Sequence, residues 1–467
     1  MNGPRCILIV LSIAVNCSVG GAIAWAQNLT DQWVEKAAGP LVEKRIADGL
    51  SVGYIEDEHY GMVHLGSASP AGKNANNLTV YEIGSISKVF TSLLLADAVV
   101  RGEIKLEAAA DVANEAGIRL PSHDSTPITW ADLSTHRSGL PRLPTNLPLT
   151  DFVNPYREYD SKKAAAFLSE YQLPRQPGDS QEYSNLGVSV LGYLVAQKAG
   201  KPYQQLLRER IAEPLRMTDC TVSLSSDQTK RLATPHNKVG SAASPWTFAD
   251  LPGAGGIHAT MRDMMRFAKA HLNPPTGTLG EAIELAWKQH SKADASAPAM
   301  GLGWMIARDG QTRWHNGQTG GFHAALFINR ELKCAVVVLC NTAVSNEIDQ
   351  LATQLILKAA GQEAKPEPSE ASDGDSDKLA IDAALRKRLV GRYQLTPSFI
   401  FDVREDDGRL MVGITNQPTQ EVYPDSPTKW SYRGVDATLE FKLTKTGPAK
   451  SLVLHQNGIQ QTARRMK

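Results

Sequence analysis

Cysteine is scarce, at five in 467 residues. Cys6 and Cys17 fall in the leader read below, so only Cys220, Cys334 and Cys340 remain. An odd, sparse set builds no disulfide framework. Cys334 and Cys340 bracket Ala-Val-Val-Val-Leu, a run that reads as one strand. Six residues of extended chain hold them roughly 20 Å apart, too far to bond, so they read as buried small hydrophobes. An excess of one charge is also missing. Lys+Arg and Asp+Glu are both 49, which removes the basic surplus of a nucleic-acid binder, and no polybasic cluster marks a membrane surface. There is no His-Glu-x-x-His, no paired Cys-x-x-Cys and no G-x-x-x-x-G-K-[ST] phosphate loop. Those absences point away from metal and nucleotide chemistry, and no cofactor is expected. No internal repeat is evident. Hydrophobic residues at 42% and charged residues at 21% are ordinary for a globular chain.

Long apolar runs are lacking too. Cys6 to Val15 is too short to span a bilayer, but with Arg5 before it and Ala24-Trp25-Ala26 after it, it reads as a secretory leader. The expectation is a signal peptide over 1–26 and a mature chain from Gln27, with an uncleaved anchor as the alternative. Ala14-Val15-Asn16 before Cys17 fits a lipoprotein site poorly. Residues 27–48 carry a helical apolar face (Trp33, Ala37, Leu41, Ile46), and 50–66 read as a β-hairpin. An amphipathic helix begins at Ser85 and stops at Gly102. Residues 103–300 read as helical pieces and loops. Strands return at Gly303–Ala307, Thr312–His315, Ala324–Asn329 and Cys334–Leu339, and a helix follows at about 345–359. N-terminal and C-terminal strands thus flank a helical middle. The simplest fold pairs them in one sheet, with the active site where sheet and helical lobe meet. Within 363–384, an acidic Pro/Ser linker and lead-in, the stretch 363–378 is the most polar. Residues 385–467 read as a small β-domain with hairpin signals at Asp407-Gly408 and Asn457-Gly458.

The chemistry lies in three ordered motifs. In Ser85-Ile86-Ser87-Lys88 the serine and lysine share one helix face. The positive end of the helix disfavours the ammonium and favours a developing oxyanion, so the lysine can take the serine proton. Tyr183-Ser184-Asn185 is the single Tyr-x-Asn of the chain. A phenol beside a lysine cation can serve as general base. Asn185 can donate to a substrate carbonyl and accept from the ammonium. His315-Asn316-Gly317 lies on a strand, and the glycines after it let backbone approach a ligand. The backbone N–H groups of Gln318 and Ser85 are candidates for an oxyanion hole.

Look-alikes exist. Ser426-Pro427-Thr428-Lys429 repeats the first pattern with a proline inside and no apolar helix after it. Lys445-Thr446-Gly447 repeats the third beyond the linker, and His64-Leu65-Gly66, Lys198-Ala199-Gly200 and Lys238-Val239-Gly240 also match. Gly49-Leu50-Ser51-Val52-Gly53 matches the G-x-S-x-G elbow, but that elbow needs a strand before and a helix after the serine. Here the order is reversed. His123, His136, His258, His290 and His323 read as surface or hydrogen-bonded structural residues.

Over about 30–360 the chain resembles the penicillin-recognising serine hydrolases, specifically the class C β-lactamase and D-alanyl-D-alanine carboxypeptidase branch. Besides the three motifs, the resemblance rests on Thr129–Pro141 (TWADLSTHRSGLP), Gly200-Lys-Pro-Tyr203, Glu213–Asp219, Gly255–Thr260 and Gly301-Leu-Gly-Trp304. It implies an α/β fold of the β-lactamase/transpeptidase type over 27–362, an antiparallel sheet flanked by helices plus a helical lobe. The all-β tail resembles a lipocalin-like domain. It further implies that Ser85 is acylated, that Lys88 and Tyr183 share acid–base work, and that Asn185, His315, Gly317 and Gln318 bind substrate. Histidine stands at 315 where β-lactamases usually carry lysine, and it is mostly neutral at pH 7. Candidate substrates are β-lactams, D-Ala-D-Ala-type peptides and small esters, with an esterase or D-aminopeptidase as the alternative. From other classes, a penicillin-binding sensor without turnover and a platform for partner binding by the tail stay open. Partners would be a small-molecule or peptide substrate, not nucleic acid. Leader and family together point to a periplasmic or extracellular location.

Overall fold

Along Cys334–Cys340 every side chain is buried, yet successive residues enter different cores. Ala335, Val337 and Leu339 join one cluster, and Cys334, Val336, Val338 and Cys340 join another. Side chains of a strand alternate between faces, so this strand runs through the middle of a sheet covered on both sides. The computed structural model describes residues 28–69, 72–148, 153–238, 240–293, 297–344, 346–362, 381–396, 399–406, 408–414, 419–432, 437–456 and 459–466. The leader expected at 1–26, the acidic stretch 363–378 and the Asn457-Gly458 turn lie outside them.

The sheet has six antiparallel strands. Their spatial order is His59–Gly66, Gly49–Glu56, Cys334–Cys340, His323–Asn329, Arg313–Gln318 and Met305–Ile306. Strands from both ends of the unit therefore share one sheet. Helices Asp31–Glu43 and Glu347–Ala359 cover one face, supplying Val34, Ala38, Leu351 and Leu355. Helix Met261–Leu272 covers the other. It packs so closely that a Cβ on Gly53 would sit 2.4 Å from Met265 Sδ.

The helix after Ser85 differs from its amphipathic reading. Ser87–Val100 is buried from Ser87 to Ala98, so it is a central helix wrapped on all sides. Small and hydroxyl side chains make this possible by giving neighbours room and satisfying their backbone. Thr91 Oγ1 donates to Gly253 O at 2.7 Å, Ser134 Oγ donates to Ser92 Oγ at 2.8 Å, and Ile257 N–H donates to Ser87 Oγ at 3.1 Å. Ser51 of the elbow look-alike lies fully buried on the strand Gly49–Glu56, its hydroxyl 2.7 Å from His64 Nδ1 and 3.0 Å from Tyr81 OH.

Contacts divide the chain into two units, 5–148 with 153–364, and a second unit that includes 365–467. The second holds a closed barrel of eight antiparallel strands, from Gly391–Thr396 to Ile459–Arg465, whose first and last strands pair. Closure removes exposed strand edges. Its interior is filled by Tyr393, Phe401, Val412, Trp430, Phe441 and Leu454 among others. Both tail look-alikes are turns. Ser426 Oγ accepts from the Lys429 N–H at 3.1 Å, and Thr444 Oγ1 accepts from the Gly447 N–H at 2.9 Å. Among the described residues no helix is long and apolar enough to cross a membrane.

Candidate active site

Ser85 sits in a tight 3-10 turn, Gly84–Ile86, that feeds the central helix. The turn docks on the strand Arg313–Gln318 through two glycines. Gly84 has φ +51°, and a Cβ there would lie 2.6 Å from Gln318 N. A Cβ on Gly317 would lie 2.0 Å from Ile83 O and 2.8 Å from Ser85 N. Only glycine permits so close an approach at both positions. The backbone nitrogens of Ser85 and Gln318 thereby come together beside the nucleophile. Two such N–H groups suit a developing oxyanion.

Lys88 follows one turn later and is fully buried. Its Nζ donates to Ser85 Oγ at 2.8 Å and to Ala254 O at 2.8 Å. Burial first, then the Arg142 charge, pull its ammonium well below the usual lysine range. A neutral amine at this place keeps one N–H for the carbonyl of Ala254 and offers its lone pair to the serine hydroxyl. Asn185 does not accept from this ammonium. Its Oδ1 is buried without a partner among the described residues, and its Nδ2 is 3.5 Å from Tyr156 OH.

Tyr183 and Asn185 are placed by the start of helix Asn185–Ala199. Ser184 is the N-cap, its Oγ accepting from the Gly187 N–H at 2.8 Å and donating to Pro141 O at 2.7 Å. Lys88 Nζ lies 4.8 Å from the centre of the Tyr183 ring. His315 faces the same ring at 6.4 Å between centroids. Its Nδ1 is 2.5 Å from Asn316 O. A carbonyl only accepts, so Nδ1 carries the proton and Nε2 keeps a bare lone pair. That Nε2 is buried with no partner among the described residues. Burial, then the Lys88 charge, lower the imidazole to about 3, so it is neutral at pH 7.

The seven residues read from the motifs thus converge: Ser85, Lys88, Tyr183, Asn185, His315, Gly317 and Gln318. Three further side chains at the site escaped sequence reasoning. His136 is not at the surface. It is buried, with its ring 4.4 Å from that of Tyr183 and its Nδ1 accepting from the Ser184 N–H at 3.2 Å. It holds φ +60°, a left-handed backbone conformation uncommon outside glycine. Burial, then Lys88, His315 and Arg142, keep it neutral. Arg142 stands 5.2 Å from the Tyr183 ring centroid. Glu82 lies two residues before Gly84 and is buried. The signals were present: His136 and Arg142 lie within or directly after the Thr129–Pro141 stretch, and Glu82 is a lone acid in the apolar run Val80–Ile83. Among the described residues no group of three or more His, Cys, Asp or Glu is placed to hold a metal ion.

Residues 34–361 match the family model described as Beta-lactamase. The D-alanyl-D-alanine-carboxypeptidase/endopeptidase AmpH of Escherichia coli is 30% identical over 363 residues, covering 68% of this chain and 92% of the relative. Penicillin-binding protein 4* of Bacillus subtilis is 24% identical over 444 residues, 87% of this chain and 91% of the relative, so that match runs past residue 362 into the C-terminal unit. Among solved structures, a β-lactamase/D-alanine carboxypeptidase from Pseudomonas syringae superposes with a TM-score of 0.61 at 20% identity, over 72% of this chain and 99% of that one.

Proposed function

Because this chain belongs to the β-lactamase family and is a serine hydrolase of the β-lactamase and D-Ala-D-Ala carboxypeptidase kind, we propose that it works through an acyl-enzyme on Ser85. The observation that carries this reading is the 2.8 Å contact between Ser85 Oγ and a fully buried Lys88 whose ammonium is disfavoured. In the acylation step the serine oxygen bonds to the substrate carbonyl carbon, and its proton passes to the neutral Lys88 amine. The carbonyl oxygen, now anionic, lies between the Ser85 and Gln318 N–H groups. As the bond to the leaving group breaks, that group takes a proton from Lys88 by way of Tyr183. Water then bonds to the ester carbon and gives a proton to the Tyr183–Lys88 pair, which passes a proton to Ser85 Oγ as the acyl–oxygen bond breaks and the free acid leaves.

The substrates we propose are D-Ala-D-Ala-type peptides, β-lactams and related esters, with the Asn185 amide orienting the acyl side. The activities for which AmpH and the β-lactamase relatives are named support that range. His315 bears on the choice. As a neutral imidazole presenting a lone pair, it gives the strand edge no permanent cation for a carboxylate, so turnover of β-lactams is expected to trail their acylation. A location outside the inner membrane is part of the proposal and rests on the leader. N-terminal sequencing of exported protein starting at Gln27 is the matching test.

The deciding measurement is intact mass over time with a penicillin, for the wild type and Ser85→Ala. A gain of one penicillin in the wild type and none in the variant is expected. A lasting adduct marks a peptidase or a penicillin-binding role without turnover. Rapid loss with hydrolysed drug marks a β-lactamase. No adduct and no hydrolysed drug would refute penicillin recognition and leave an esterase or D-peptide hydrolase.

A further inference from the structure

A narrow, open-mouthed pocket lies beside Asn185. Leu143, Leu147, Tyr156, Phe248 and Leu251 form much of its wall. Tyr156 stacks on Phe248 at 5.1 Å and meets Trp246 edge-on at 5.1 Å, so this wall is apolar and stiff. Leu143 belongs to it, and the residue before Leu143 is Arg142.

Arg142 differs from the arginines around it. Arg137 donates to the carbonyls of Gly178 and Lys292, and Arg175 pairs with Glu182. The Arg142 guanidinium is half-buried over Tyr183, and among the described residues no carboxylate or carbonyl receives it. Its charge is nevertheless felt at Lys88, His136 and Tyr156. A partly desolvated cation without a counter-ion is costly, and a ligand anion would offset that cost. Neither histidine supplies a second cation, because both are held neutral. The backbone fixes where Arg142 stands: its carbonyl accepts from the Asn185 N–H at 3.0 Å. Asn185 and Leu143, which line the pocket, are thus joined to Arg142 by a backbone hydrogen bond and by the chain itself, so the guanidinium over Tyr183 lies next to the pocket.

We propose that Arg142 recognises an anion on the acyl part of the substrate, so that preferred acyl donors join an apolar body to a carboxylate. This deepens the acyl-transfer reading and rests on it. The guanidinium meets a carboxylate through paired N–H donors, and the apolar wall takes the carbon chain between that carboxylate and the reacting carbonyl.

The test compares two p-nitrophenyl esters of equal length, the hydrogen glutarate and the glutaramate, which differ only in carboxylate against carboxamide. Wild-type kcat/KM is expected to favour the anionic ester by roughly tenfold, the scale of one charge-assisted hydrogen bond. Arg142→Gln should bring the ratio toward one, and Arg142→Lys should restore part of it. The ratio is the readout because Arg142 also acts on Lys88 and moves both rates together. Added salt should lower the wild-type ratio and not that of Arg142→Gln. If a penicillin acylates Ser85 but the wild-type ratio is near one, or Arg142→Gln leaves the ratio unchanged, the assignment of Arg142 is overturned and acyl transfer stands. If neither ester is turned over and penicillin leaves no adduct, acyl transfer itself is overturned, and this inference with it.

Discussion

Replacing Glu82 with glutamine is expected to stabilise the protein in mild alkali and to change it little in acid. Glu82 lies on the short strand Val80–Glu82, opposite His258. Its Oε1 accepts from the Trp246 N–H at 2.6 Å, and its Oε2 is buried without a partner among the described residues. Burial pushes its carboxyl from 4.5 up to about 7, against hydrogen bonds from Thr319 and Trp246 that favour the charge. His258, 4.0 Å away, gives no counter-charge, since burial lowers it to about 4. Between 4.5 and about 7 the folded protein holds on Glu82 a proton that the unfolded chain has released. Stability is therefore fully present below 4.5 and is lost as pH rises through 7. The whole window is worth about 3 kcal/mol, of which about 2.5 kcal/mol falls between about pH 5 and about pH 8.5. Glutamine keeps the acceptor for Trp246 and removes the titration. Any fixed cost of its amide cancels when the two pH values are compared. Urea unfolding of wild type and Glu82→Gln at both pH values measures the gap, and the midpoint difference should widen by roughly 1 M toward alkali. A gap that does not change with pH refutes the reasoning, and one that widens toward acid reverses it.

Other outcomes follow from the same geometry. Lys88→Arg replaces the neutral amine with a permanent cation that cannot take the serine proton, so the rate of Ser85 acylation should drop by about 10²–10⁴; near-normal adduct formation by mass would remove Lys88 as the base. Gly317→Ala puts a Cβ 2.0 Å from Ile83 O and should open the pair of N–H groups, costing roughly 10²–10³ in kcat, with circular dichroism showing the fold retained. His258, His271 and His315 are held at about 4, about 3 and about 3. Below 6.5 the unfolded chain binds protons that these sites refuse, so stability falls as pH falls, by about 2 kcal/mol per histidine at about pH 5. That exceeds the opposing gain at Glu82, and a Tm that rose between pH 7 and pH 5 would contradict it.

The sequence made the reacting groups legible because their chemistry is local. Ser85 and Lys88 are one helical turn apart, and Tyr183 and Asn185 flank an N-cap serine, so short spacing carries the geometry. The pairing of early and late strands was legible for another reason: both sets are apolar runs of strand length around a helical middle. What failed was the reading of environment. The helix Ser87–Val100 was expected to be amphipathic, but its polar positions are buried too: Ser87, Thr91 and Ser92 are small hydroxyls, Lys88 meets Ser85 and Asp97 pairs with Arg101 and Arg210. His136 looked structural because nothing local says that a loop 47 residues earlier folds against Tyr183. Burial and long-range pairing decide charge, and one sequence does not display them.

The sheet matters to the chemistry through the face that points away from the cleft. Along Arg313–Gln318, His315 and Gly317 point toward Ser85, so Asn316 and Gln318 point to the opposite side. There Asn316 Nδ2 donates to Asp349 Oδ2 at 2.9 Å, and Gln318 Nε2 donates to Val344 O at 2.8 Å. His323, paired with Gln318 across the ladder, reaches the same two partners, with Nδ1 2.9 Å from Val344 O and Nε2 3.3 Å from Asp349 Oδ1. Both ring nitrogens face acceptors, an arrangement that favours the doubly protonated ring. Although burial works against it, Asp349 raises this imidazole above its usual value. Neighbouring strands thus treat two histidines in opposite ways: burial keeps the ring at 315, facing the nucleophile, neutral, while Asp349 favours the protonated ring at 323 on the next strand. The His323–Asp349 contact and the two side-chain amides fix where the Gln318 N–H sits relative to Ser85. An oxyanion donor placed by backbone alone would shift with the strand edge. Here its position is set by bonds to the helix Glu347–Ala359 and the segment before it, on the far side of the sheet.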